Sequence, residues 1–162
     1  MRGQPVRRAR TRDKSKALTP AAQALMQERD QKLLTPREPV VRRRLLLLEG
    51  NRHSIDELRD VFTAGGYECE VALDLATARN VLNDRVMDVA VINASLPGIN
   101  DEEVIREFRG RNSEMSLVVY SGMKDRARQR RLRALGADSY LSTASDLKAV
   151  EKAVKKVLES KR

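Results

Sequence analysis

One uninterrupted apolar run, residues 89–92, constrains the fold more than any other part of this sequence. A run without polar alternation is typical of a strand that is buried on both faces in a parallel sheet. The run ends at Asn93, and a turn follows at Pro97 and Gly98. Because active groups of open α/β sheets lie just past the carboxyl ends of strands, Asn93 is where we look for chemistry. Its amide cannot act as a carboxylate nucleophile.

The sequence around this run alternates between short apolar segments and segments of helical periodicity. The short segments are typical of buried strands, and the others carry apolar residues three and four positions apart. Five repeats of strand and helix predict a parallel sheet with helices on both faces and right-handed crossovers. The predicted strands are residues 45–48, 69–72, 86–92, 117–120 and 139–141.

Polar residues mark the predicted helix starts. Ser54 and Glu57 have the spacing of a capping box, which predicts a helix that begins at Ser54. Asp74 and Ser145 are predicted to cap a later helix and the last helix. Gly136 is predicted to end the helix that follows the fourth strand.

The positive charge of the chain is concentrated near its N-terminus. The net charge is +9, and residues 1–44 hold 13 Lys or Arg against 4 Asp or Glu, which accounts for the whole excess. Residues 1–17 cannot form a core and are predicted to be a disordered basic arm. The arm either contacts a polyanion or acidic partner or is a solubilising tail, and it has no aromatic residue to stack on bases. Its cations are Arg7, Arg8, Arg10, Arg12, Lys14 and Lys16.

A short helix and a linker are predicted between the arm and the repeating part. Thr19 before Pro20 is a favourable helix start, so we predict a short helix at residues 18–34 and a linker at 35–41. No apolar run reaches the roughly 18 residues of a membrane span, and the N-terminus lacks a signal-peptide core. The single Cys69 excludes an intramolecular disulfide. We therefore expect a cytoplasmic protein.

Residues 42–162 form the predicted main domain, and about residues 43–162 resemble the receiver domain of two-component response regulators. The resemblance rests on five segments in the right order and spacing. It implies a flavodoxin-like, doubly wound sheet of five parallel strands in the order 2-1-3-4-5, with helices on both faces, to which the charge distribution adds a basic N-terminal extension. The segments are residues 45–49, 65–67, 87–98, 118–122 and 135–140.

The family's phosphoryl chemistry maps poorly onto this chain. The resemblance implies an aspartate ending the third strand that accepts phosphate from a histidine kinase, but Asn93 stands there. The acid pair that helps to hold magnesium is Glu49 and Gly50, and the lysine position is Thr143. Only Ser121 matches a phosphoryl-contacting residue. We therefore predict a pseudo-receiver that is not an enzyme and has no catalytic residue, metal or cofactor.

Several roles at this edge of the sheet remain open from the sequence. Asn93 could bond the backbone of the turn before Pro97, and Glu49 could bond its amide. Tyr140 matches the family's aromatic that rotates on activation. Ser95 could accept phosphate from a Ser/Thr kinase. In a separate alternative, a ligand or another modification at this edge would move Ser121 and Tyr140.

The helix after the fourth strand is strongly basic, with only Asp125 as an acid among its cations. The resemblance implies that this helix, the fifth strand and the last helix bind a partner or a second receiver. We predict a signalling protein with an acidic surface as partner, and a homodimer through this face is a further possibility. The alternatives are a nucleic-acid-associated regulator whose basic arm contacts phosphates, and a helix surface that is merely solvated. The cations are Lys124, Arg126, Arg128, Arg130, Arg131 and Arg133.

Overall fold

The structure is a computed structural model that describes residues 19–34, 40–142 and 146–161. The chain separates into two compact units, of which the second begins at Val41. The predicted basic arm, residues 35–39 of the predicted linker, and Thr143 and Ser145 lie outside the described residues. No helix in the described ranges is long and apolar enough to cross a membrane.

In the first unit, the described residues 19–34 and 40 contain one helix, α1 (Pro20–Leu34). Thr19 caps it, because its Oγ1 accepts a hydrogen bond from the backbone N–H of Ala22 at 3.2 Å. Between residues 20 and 31 every side chain except that of Ala22 is exposed. The helix therefore gains little stability from burial within the residues described.

The second unit is a five-stranded parallel sheet in the order β2-β1-β3-β4-β5. This confirms the predicted flavodoxin-like topology. β1 lies between β2 and β3, so the carboxyl ends of β1, β3 and β4 meet at the centre of one edge. The strands are β1 (Arg44–Leu48), β2 (Glu68–Ala72), β3 (Val89–Asn93), β4 (Ser116–Tyr120) and β5 (Ser139–Leu141).

Helices follow each strand, as predicted, but two caps differ from the prediction. Asn51, not Ser54, caps α2, since its side chain accepts from Ser54 N–H and the helix begins two residues before Ser54. Asp146 caps α6 with bonds from two backbone N–H groups, one residue after the predicted Ser145. Asp74 caps α3 and Gly136 ends α5 as predicted. The helices are α2 (Arg52–Ala64), α3 (Leu75–Asp84), α4 (Asp101–Arg111), α5 (Arg126–Leu135) and α6 (Leu147–Ser160).

Alternation along the strands builds two apolar cores, one on each face of the sheet. Leu46 and Leu48 pack in the core that also contains residues of α3, α4 and α5. Leu45 and Leu47 pack in the core that contains residues of α2 and α6. All four leucines are fully buried, and each such burial stabilises the fold by about 1.5–3 kcal/mol. The central strands are thereby fixed from both sides.

The same alternation selects which side chains meet at the carboxyl edge. Leu45 and Leu47 face α2 and α6, so Glu49, two residues further on, follows the same side. Val89 and Val91 place Asn93 on that side by the same rule. The pairing of β3 with β4 sets Asn93 opposite Tyr120. Three strands therefore deliver an acid, an amide and a phenol to one place.

Candidate functional site

Glu49 is the centre of the carboxyl edge and is only 1% exposed. Its Oε1 accepts hydrogen bonds from the backbone N–H groups of Gly50 at 2.8 Å and Asn51 at 2.9 Å. Asn93 donates its amide nitrogen to both carboxylate oxygens, at 3.1 and 2.9 Å. The hydroxyl of Tyr120 donates to Oε2. Since a carboxylate has about four acceptor sites, these bonds occupy all of them.

The Asn93 amide is held at both ends. Its nitrogen donates to Glu49, and its Oδ1 accepts from the backbone N–H of Ser95 at 2.8 Å. The structure thus contains both contacts that the sequence left open, the turn bond and the bond to Glu49. An aspartate in this orientation would place a second negative charge against Glu49, which an amide avoids. Asn93 here acts as a structural link between β1, β3 and the loop after β3.

Tyr120 is the member of this site that the sequence analysis missed. It is only 4% exposed. Burial is the larger cause and the hydrogen bond to Glu49 the smaller one, and together they raise the pKa of the phenol well above its ordinary value. The neutral phenol is therefore the form that the site holds. No local sequence pattern marks it, because its position opposite Asn93 depends on the register of β3 and β4.

The residues at this edge do not fit the magnesium ion that the fold family implies. Mg²⁺ requires free oxygen ligands in octahedral geometry, whereas the oxygens of Glu49 are occupied and Gly50 has no side chain. A Cβ at Gly50 would lie 2.9 Å from Cδ2 of Leu96, so an acid there would first have to displace that leucine. Among the described residues, no three side chains of metal-binding type form a cluster.

Two serines form a second hydrogen-bonded group beside the first. Ser121 is fully buried, and its hydroxyl lies 3.2 Å from that of the exposed Ser95. Ser121 Oγ also accepts from the backbone N–H of Met123 at 3.2 Å. Tyr140 is 5% exposed and donates to the Met123 carbonyl at 3.5 Å, so this aromatic lies in an inward position. Thr143 is outside the described residues.

A family model for the response regulator receiver domain matches residues 45–155, which is more than half of the chain. The chain belongs to the response regulator receiver family. The match confirms the resemblance drawn from the strand ends, and it covers the sheet described above from residue 45 onward.

Relatives and solved structures agree with this assignment. The regulatory protein VanRB of Enterococcus faecalis is 25% identical over 115 residues, which cover 71% of this chain and 52% of VanRB. The chain spans about half the length of the curated relatives it matches. A CheY-like receiver from Methanospirillum hungatei has a TM-score of 0.68 at 17% identity, covering 74% of this chain and 96% of that one. HP1043, an orphan response regulator of H. pylori, has a TM-score of 0.63 at 19% identity, covering 75% and 98%.

Acidic residues of α4 neutralise part of the positive charge of the receiver's basic helix α5. Arg128 Nε lies 2.5 Å from an oxygen of Asp101, and its Nη2 donates to the Ala94 carbonyl at 2.9 Å. Arg131 Nε donates to Glu102 at 3.1 Å. The expectation that only Asp125 opposes these cations is therefore wrong, because α4 begins with acids that reach α5. Two of the six predicted cations stabilise the packing of α4 against α5.

The other four cations, together with two lysines of α6, form what we call the basic surface. Its members are exposed, and none makes an ion pair with another described residue. Part of it borders a groove of about 510 Å³ between α5, β5 and α6, whose lining includes Leu141, Ala153 and Val157. Asp138 also lines the groove, but its carboxylate is paired with Arg109 at 3.0 Å and Lys161 at 3.3 Å. The basic surface consists of Lys124, Arg126, Arg130, Arg133, Lys152 and Lys156.

Proposed function

We propose that this receiver signals without aspartyl phosphorylation and acts as an adaptor that binds a signalling protein through the face formed by α5, β5 and α6. The observation that carries the first part is the saturated carboxylate of Glu49. The only acid at the mapped magnesium positions is already bonded to Asn93, Tyr120 and two backbone N–H groups. A phosphoryl group would find neither a carboxylate nucleophile nor a free metal ligand there.

The basic surface supports the second part of the proposal. Cations close together on a helix repel one another, and an acidic partner relieves that repulsion. The groove beside Arg133, Lys152 and Lys156 offers apolar contacts next to these charges. An acidic protein segment with one or two apolar side chains matches this combination. A second copy of the receiver on the same face is the homodimeric form of this interaction, and a cytoplasmic signalling pathway is the proposed setting.

Treatment with acetyl phosphate and magnesium tests the first part. We expect the intact mass of the protein to gain no phosphoryl group, and its amide NMR spectrum to show no shifts with beryllofluoride and magnesium. A receiver that keeps the aspartate and both acids, treated in parallel, verifies the reagents. Stable labelling, or beryllofluoride shifts centred on residues 49 and 93, would overturn the proposal.

Charge reversal tests the partner face. The double variant Arg126→Glu/Arg130→Glu should lose the protein partner that wild type retains from native lysate, because it reverses the local potential. The matched control is Arg52→Glu/Arg59→Glu, which reverses two exposed charges on α2. Equal loss in both variants would show that total charge, not this face, governs binding.

The concentration of the whole net charge in residues 1–44 favours a second candidate, a nucleic-acid-associated regulator. In that case binding to duplex DNA should weaken steeply with salt, since each neutralised phosphate releases a counterion. Deletion of residues 1–17 should abolish that binding. The double variant Arg126→Glu/Arg130→Glu should then leave DNA binding largely unchanged, which separates this function from the adaptor.

A further inference from the structure

Ser95 occupies an exposed position beside the saturated site. It lies in the loop after β3, and its hydroxyl is 3.2 Å from the hydroxyl of Ser121. The backbone N–H of Gly122 points to the same Ser95 Oγ at 3.4 Å. An exposed residue therefore carries a hydroxyl here, two residues beyond the amide that replaces the family's acceptor.

A cation is fixed on the same loop. Arg128 Nη2 donates to the carbonyl of Ala94, which belongs to the peptide group whose nitrogen is that of Ser95. Arg128 is half-buried and paired with Asp101, so its guanidinium loses little conformational entropy when it binds an anion. A guanidinium has five N–H donors, and the contacts to Asp101 and Ala94 use only two of its nitrogens.

The donors around Ser95 are those that a phosphate monoester requires. A phosphoserine carries close to two negative charges and three strong acceptor oxygens. The backbone N–H of Gly122 bonds Ser95 Oγ and is a neutral donor, and the guanidinium of Arg128 on the Ala94 carbonyl is a charged one. The carboxylate of Asp101 is already paired with Arg128 and so opposes the phosphate less than a free acid would.

We propose that Ser95 is a phosphorylation site for a Ser/Thr protein kinase and that Arg128 binds the resulting phosphate. In the transfer step, Ser95 Oγ attacks the γ-phosphorus of a nucleoside triphosphate bound by the kinase. The bond between that phosphorus and the bridging oxygen breaks, the nucleoside diphosphate leaves, and the hydroxyl proton passes to a base of the kinase. No aspartyl phosphate and no metal held by this chain is involved.

The modification would change the contacts of the second hydrogen-bonded group. A phosphate on Ser95 Oγ removes the hydroxyl that bonds Ser121, whose oxygen also holds Met123 N–H. Binding of the phosphate by the remaining donors of Arg128 would also change the pair between Arg128 and Asp101, one of the two pairs that join α5 to α4. The signal would thus reach α5 and the basic surface. This inference does not depend on which partner that surface binds.

The first measurement asks whether the site is used. The chain is purified from the cells that produce it, and its phosphopeptides are mapped by mass spectrometry. In parallel, wild type and Ser95→Ala are incubated with lysate of those cells and a labelled nucleoside triphosphate. We expect phosphate on Ser95 and a loss of most label in Ser95→Ala. Equal labelling of both proteins, or no phosphate on Ser95 in either experiment, would overturn the proposed modification.

The second measurement tests the role of Arg128. Phosphoserine is incorporated at position 95, and its second pKa is followed by ³¹P NMR in the folded protein. A nearby guanidinium should lower this pKa by about one unit from its usual value near 6. Arg128→Gln should return it to about 6, whereas Arg130→Gln, on the exposed side of α5, should not. A pKa near 6 with Arg128 intact, or equal shifts in both variants, would overturn the assignment of Arg128.

Discussion

At the carboxyl edge of the sheet, Glu49 has each acceptor site filled from within the chain. On the face formed by α5, β5 and α6, the cations of the basic surface are exposed and make no ion pair with a described residue. The acid at the carboxyl edge is thus fully bonded within the chain, while the cations of the basic surface are accessible from solvent. The bonded carboxylate of Glu49 stabilises the fold, whereas the exposed cations of the basic surface can pair with a partner's acids.

The same contrast exists within one helix. Arg128 and Arg130 are two positions apart on α5, so they point to different sides. Arg128 is bonded to Asp101 and to the loop after β3, whereas Arg130 is exposed without an ion pair among the described residues. Composition alone does not distinguish them. Their surroundings hold Arg128 in the packing of α5 against α4 and leave Arg130 accessible from solvent.

The largest expected effect is that of Glu49→Ala on stability. This change leaves the Tyr120 hydroxyl and the Asn93 amide without their acceptor, and each unsatisfied buried group costs about 1–3 kcal/mol. We expect the free energy of unfolding in urea to fall by about 3 kcal/mol. Glu57→Ala, which removes an exposed acid of α2, should change it by less than about 0.5 kcal/mol. Equal stabilities would mean that burying the carboxylate costs as much as its bonds contribute.

A smaller effect is expected for Tyr120→Phe, with a distinct dependence on pH. At neutral pH the loss of a hydrogen bond to a charged group should lower the free energy of unfolding by about 1.5–2 kcal/mol. Burial raises the phenol's pKa in the folded state, so above about pH 10 the unfolded chain loses this proton while the folded chain keeps it. Wild type should therefore lose stability above pH 10 more steeply than Tyr120→Phe.

That difference in slope should approach about 1.4 kcal/mol per pH unit. Burial also raises the pKa of the Cys69 thiol, to about 11, and that of Tyr67. Both groups are present in wild type and variant, so the comparison cancels their contributions. Parallel pH profiles of the two proteins, measured by urea unfolding, would contradict a neutral buried Tyr120.

The sheet was predictable because burial on both faces leaves a strong pattern. The runs at 45–48 and 89–92 contain no polar residue and are fully buried, as is typical of the central strands of a parallel sheet. Helix starts were less predictable, since a polar residue close to a boundary can cap from more than one position. The cap is Asn51 and not the predicted Ser54, because the helix begins earlier than the capping-box spacing indicated.

The site was predictable in its members along the strands but not in its bonds. Glu49, Asn93 and Ser121 follow from where strands end, and the structure brings them to one edge. Tyr120 depends on the register between β3 and β4, which no local pattern reveals. Arg128 and Asp101 are 27 residues apart in sequence, and their pairing depends on how α4 and α5 pack. Sequence patterns therefore located the charges but not which of them are satisfied.

The smallest expected effect separates the two arginines of α5. Arg128→Ala removes a half-buried pair with Asp101 and a bond to the Ala94 carbonyl, so unfolding should become easier by about 1–2 kcal/mol. Arg130→Ala removes only an exposed side chain and should change stability by less than about 0.5 kcal/mol. Urea unfolding of both variants at low and at 0.5 M salt measures the difference. Because partly buried pairs are screened less than exposed ones, most of the Arg128 effect should persist in salt. If the two variants were equally stable, Arg128 would belong to the basic surface rather than to the packing of α5 against α4.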